Sequence, residues 1–119
     1  MAEFALALPA LLMILFGMIE FGLVLSRAQA IEAAAREGGR LASVSSTTSA
    51  DVVSRVDATL AGTALDAPPA VAVIPSSGCD GREGESVTVT VTAPHQITIP
   101  FVLDRELTLT GQAVFRCEA

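Results

Sequence analysis

The side chains with chemistry to offer are few: one histidine, His95, two cysteines, Cys79 and Cys117, and thirteen carboxylates. No Ser/His/Asp or Cys/His set, metal-ligand cluster or phosphate-cradling loop can be assembled from them, so catalysis, a metal and a cofactor are all unexpected. His95, beside Pro94, reads as a surface residue. Asp80, Glu83 and Glu85 stand in the polar stretch 76–85, but their spacing matches no calcium loop, and a solvated turn is the expectation. The formal net charge is −6 and the seven basic residues, all arginine, are scattered, which excludes a nucleic-acid partner because phosphate contacts need clustered cations. The remaining chemistry is that of charge beside an apolar run. A carboxylate at membrane depth costs several kcal/mol unless paired or protonated, on an order-of-magnitude scale, so Glu3 and Glu20 draw a functional reading. Glu20 lies near the outer end of the run, where Arg27, seven residues on and on roughly the same helix face, is a candidate partner within the chain or in a neighbour. Glu3 lies one turn from the chain start, placed for an amine–carboxylate contact between neighbouring subunits.

The element that carries both glutamates runs from Phe4 to Leu25 with Glu20 as its one formal charge. About 20 apolar residues cross a hydrocarbon core as a helix, and this stretch meets that length. A signal peptide cut after Ala28-Gln29-Ala30 is the rival. The run carries no preceding Lys or Arg and exceeds the usual h-region, and the helical pattern continues through the supposed cut. Pro9 inside the run predicts a bend or loosening near residues 5 to 9. Beyond it, an Ala-rich segment with Glu32 and Arg36 at i,i+4 extends the helix to about residue 44, interrupted in propensity only by Gly38-Gly39. Gly22, Ser26, Ala30, Ala34, Gly38, Ala42 and Ser46 recur every fourth residue, a small-residue ridge that permits close approach of another helix or of the chain's own β domain.

The rest is polar and β-rich. Capping candidates and Val52, Val56 and Leu60 on one face predict a short helix over 50–61, stopped by Gly62. Residues 70–74 read as a strand ending at Pro75, and 86–93 as a strand with Val87, Val89 and Val91 inward. Pro94 and Pro100 bracket an irregular or edge segment, and Phe101, Val102 and Leu103 form an apolar knot set against the helix or a neighbouring subunit. Residues 106–117 alternate again, with Leu107, Leu109, Ala113, Phe115 and Cys117 on one face. An even pair of cysteines in a chain with a membrane segment suggests an oxidising compartment and a Cys79–Cys117 disulfide. The expected fold is α+β: a long N-terminal helix over 1–44, then a domain over 45–119 made of a short helix and a small antiparallel sheet.

Four motifs along the first 42 residues carry a family resemblance: Glu3-Phe4-Ala5-Leu6, Pro9, Glu20-Phe21-Gly22 and Ala35-Arg36-Glu37-Gly38. As a set they resemble the TadE-like pilins of tight-adherence (Flp) systems, relatives of type IV pilins; the C-terminal part is similar only as a variable β-rich domain. The resemblance implies a precursor cut by a prepilin peptidase, a mature protein resting in the bacterial inner membrane with its C-terminus outside, and later transfer by the assembly machinery into an extracellular pilus, or a place capping one. Two features depart from the family pattern: a basic leader ending in Gly does not precede Met1, and the key Glu stands third where mature pilins often have it fifth. The partners implied are other copies of the chain and related pilins. The reading is a structural pilin for adhesion or surface attachment, with Glu3, Phe4, Pro9, Glu20, Phe21, Gly22, Ser26, Arg27, Ala30, Ala34, Gly38 and Ala42 as assembly residues. Its alternative is a monomeric, single-span anchored module that binds another envelope protein.

Overall fold

A computed structural model describes residues 1–118. Helix α1 spans Ala2–Ala42, α2 spans Ser49–Leu60, and three strands follow, β1 (Ala70–Ile74), β2 (Ser86–Ile99) and β3 (Leu103–Arg116). The strands form one antiparallel sheet in the order β1-β2-β3. The fold is therefore α+β, as the hydrophobic patterning predicts. The molecule is a rod, 73 × 20 × 20 Å, because α1 is longer than the domain seated on it.

The helix is unbroken through Pro9. It stops at Ala42, where Ser43, Ser45, Ser46, Thr47 and Thr48 follow in close succession. Hydroxyl side chains compete with the helical backbone for its own hydrogen bonds, and Ser43 Oγ donates to the Arg40 carbonyl at 2.7 Å. The next helix begins with a capping box. The Asp51 N–H donates to Thr48 Oγ1 at 3.3 Å, and the Thr48 N–H donates to the Asp51 carboxylate at 2.9 Å. The Thr48 N–H bond, and then the Thr48 hydroxyl, which donates to Asp51 Oδ2 at 2.7 Å, hold the Asp51 carboxyl below its usual range. Valines 52 and 56 and Leu60 are buried at the expected spacing. The helix ends on Ala61 in right-handed conformation, so Gly62 does not act as a left-handed stop.

One core joins the outer part of α1 to the domain: Ile31, Ala34, Ala35 and Ala42 meet Val52 and Val56 of α2 and Val87, Val89 and Val91 of β2. Its α1 side chains are mostly small, so helix and sheet lie close. The interruption at Gly38-Gly39 is explained by that closeness. A Cβ on Gly38 would stand 2.8 Å from Val56 Cγ2, and one on Gly39 would stand 2.6 Å from Phe115 Cδ2. Gly111 on β3 is less forgiving, since a Cβ there would meet backbone atoms that cannot rotate away, the Ile31 carbonyl oxygen at 2.8 Å and the Glu32 backbone at 2.9 Å.

The hairpin is longer than its prolines suggest. Residues 94–99 continue β2, and Pro94 through Ile99 face Thr108 through Leu103 in regular register. Pro94 is tolerated because β1 ends at Ala70, opposite Thr92, so no third strand stands beside it. Of the two expectations for this segment, irregular or edge, the structure has the edge, in regular strand. Phe101, Val102 and Leu103 form the hairpin's end, exposed and not packed on α1. Cys79 and Cys117 form the expected disulfide, with Cα atoms 5.4 Å apart, tying the 75–85 loop to the end of β3. In that loop Arg82 pairs with Glu85 at 2.8 Å, and no metal-holding group of acidic, His or Cys residues exists among the described residues.

Candidate functional site

The long helix has two environments. From Ile31 to Ala42 one side is packed in the core. Below that, the most apolar 18-residue window has no buried residue, and Phe4, Leu11, Ile14, Phe16, Ile19 and Phe21 are all exposed. The helix is long and apolar enough to cross a membrane. Bare apolar area of this extent all around a helix calls for lipid or other helices as its surroundings.

The boundary between the two environments holds a cluster of charge. Arg27 Nη1 lies 2.6 Å from His95 Nδ1 and 3.2 Å from Asp66 Oδ2. A guanidinium only donates, so Nδ1 is the acceptor and the imidazole proton sits on Nε2. Nε2 points toward Glu20, whose Oε2 is 3.8 Å away, too far for a hydrogen bond. Both atoms are buried without a hydrogen-bond partner. Asp66 accepts a further bond from the Gln96 N–H at 2.7 Å. That bond, and then the Arg27 charge, hold the Asp66 carboxyl below its usual range. One carboxylate thus joins the 61–69 linker to both the hairpin and α1.

Two sequence expectations change here. Within the chain, Arg27 is engaged by His95 and Asp66 and not by Glu20. His95 is not a surface residue: it is 1% exposed, on the same face of β2 as Val87, Val89, Val91 and Ala93. Its odd-numbered place in that alternation was the available signal, and the flanking prolines masked it. Asp66 lies outside every sequence pattern considered, and only the tertiary fold brings it to Arg27.

The other expected assembly residues divide. Ala34, Gly38 and Ala42 are buried against the chain's own sheet and second helix, and Ala30 is half-buried there. In this stretch the ridge serves close packing inside the molecule, so these residues are not presented to a neighbour. Glu3, Phe4, Pro9, Phe21, Gly22 and Ser26 are exposed, and Glu20 is half-buried. A second helix-to-domain tie lies on the outer surface, where Arg55 donates to Glu37 Oε1 from Nε at 3.1 Å and Nη2 at 2.5 Å. It lowers the Glu37 carboxyl below its usual range.

Fold and junction define a class: a single apolar helix, bare on its N-terminal half, with a small disulfide-closed domain clamped to its outer half. The TadE-like protein family model matches residues 1–40, about a third of the chain, so the resemblance carried by the N-terminal motifs is borne out over that stretch. No curated protein and no solved structure shows a significant match.

Proposed function

We propose that the chain is a structural pilin subunit of a Tad-type pilus, held in the inner membrane by α1 before assembly and built through α1 into an extracellular filament for adhesion or surface attachment. The observation that carries this reading is the bare N-terminal half of α1, where the most apolar 18-residue window has no residue buried within the molecule. Lipid covers that surface first. Helices of other copies or of related pilins replace the lipid on assembly, after a prepilin peptidase has processed the precursor. Glu3, Phe4, Pro9, Phe21, Gly22 and Ser26 lie on the part of α1 left free for such contacts.

The test is to shear the surface of producing cells, image the sheared material by negative stain and measure the mass of its subunit. Filaments containing this chain are expected. Filaments lacking it, with the chain retained in the membrane, contradict the reading. A second reading, a monomeric anchored module that binds another envelope protein, is favoured by one observation: three of the seven small ridge residues, Ala34, Gly38 and Ala42, are buried inside the molecule. That reading predicts the second outcome of the same experiment.

A further inference from the structure

The hairpin of β2 and β3 does not end at the core. Contacts along α1 run in order from Phe115 at Gly39 and Val89 at Gly38, through Gly111 at Ile31, to His95 between Arg27 and Glu20. The hairpin therefore descends along α1 toward the apolar half. His95 touches residues seven apart on a helix that rises 1.5 Å per residue, which places it about 5 Å to the domain side of Glu20. Four more residues lead to Ile99, at most about 13 Å further at strand spacing. The tip thus reaches as much as about 8 Å past the level of Glu20, beside the exposed apolar helix.

The tip is built of apolar residues. From Ala93 to Leu103 there is no Asp, Glu, Lys or Arg. Phe101 is 103% exposed and Val102 61%. Phe101 also has φ 66°, a left-handed conformation that a bulky side chain adopts at a cost and that Gly or Asn would take with ease. A turn that needed only to reverse the chain in water has no use for a phenyl ring there. Charge returns at once with Asp104, Arg105 and Glu106, the side chains that would face headgroups and water.

We infer that the Pro100–Leu103 hairpin tip is a second membrane contact, seated at the boundary between headgroups and acyl chains of the bilayer that α1 crosses. This rests on the membrane-anchored stage of the function proposed above. The occupant is lipid because the patch continues, at the same depth, the apolar surface of α1, and an apolar wedge buried about 5–10 Å is the ordinary depth of an interfacial segment. The tip and the Arg27–Asp66–His95 junction together fix the domain's attitude on the membrane, where a lone helix would leave it free to swivel.

The chain contains no Trp or Tyr, so a single introduced tryptophan reports its own surroundings. Full-length Phe101→Trp, Leu12→Trp and Val114→Trp proteins are reconstituted in phosphatidylethanolamine/phosphatidylglycerol vesicles containing brominated phospholipid. Fluorescence is read with and without aqueous acrylamide. The inference predicts bromolipid quenching at Phe101→Trp, with a blue-shifted emission several-fold less sensitive to acrylamide than that of Val114→Trp, which lies on the exposed face of β3. Leu12→Trp, in the bare part of α1, tests membrane insertion separately. Bromolipid quenching at Leu12→Trp with none at Phe101→Trp overturns the tip contact and leaves the anchor standing. Acrylamide protection at Phe101→Trp without bromolipid quenching shows cover by another copy and equally overturns it. Absence of bromolipid quenching at both positions overturns anchor and tip together.

Discussion

A buried glycine can matter more than a charged side chain when two backbones meet. At Gly111 an added methyl has only the backbone of Ile31 and Glu32 to push against, and neither can rotate away. Gly111→Ala should destabilise the detergent-solubilised protein by about 1–3 kcal/mol or more, as overpacking does, read as a lowered melting temperature by circular dichroism. Gly62→Ala, with nothing within 4 Å of the new methyl and no left-handed backbone, is expected to be neutral or slightly stabilising in the same experiment. At the junction, Asp66 has a folded-state pKa below its ordinary value, first through the Gln96 N–H and then through Arg27. Its stabilising effect is complete above the ordinary carboxylate range and is lost as pH falls through the lowered value. Asp66→Asn should therefore lower stability at neutral pH and flatten its decline on acidification. Equal profiles for Asp66→Asn and the parent would remove Asp66 from the junction. These roles were nearly invisible in the sequence. A glycine's need for space depends on a partner segment some 80 positions away, and Asp66 sits in a linker with no period to read.

At the scale of elements, periodicity carried most of the fold. The valine–threonine alternation of β2 and the three-and-four spacing of α2 each state which face is inward, and each face is buried. Proline is where that reading failed, because its cost depends on whether a neighbouring strand needs the missing N–H. Beside Pro94 no such strand exists, so the alternation passes through it to His95 and the hairpin gains its lower half. The disulfide was legible from compartment and count alone, and it joins elements that otherwise meet only at the sheet's end. Closing a separation of 38 residues stabilises by about 4 kcal/mol in the chain-entropy model. Reduction in detergent should lower the melting temperature sharply, with loss of strand signal before loss of the helix signal from α1. A melting curve unchanged by reduction would show that the core of α1, α2 and β2 holds the domain without it.

For the whole molecule, the consequence is a division of labour along one helix. The outer part of α1 belongs to the domain's core, and the inner part belongs to whatever surrounds the molecule. Glu3 is exposed at the far end of that inner part, and the function proposed above has it pair with a neighbouring chain's amino group. Glu3→Ala is expected to reduce incorporation into sheared filaments several-fold while leaving the amount of membrane-inserted chain unchanged. Equal filament yield would remove the charge-pairing role. The need for surroundings was the most legible property of the sequence, since length and apolarity suffice to state it. What supplies them after the membrane stage was not legible, because bare aliphatic surface accepts lipid and helix alike.

The most direct measurement is fractionation of the native protein without detergent, followed by sedimentation of every fraction. The account predicts the chain only in carbonate-resistant membranes and in sedimenting surface filaments. A freely soluble monomer recovered from cells, with residues 4–25 present and folded against its own domain, would contradict it.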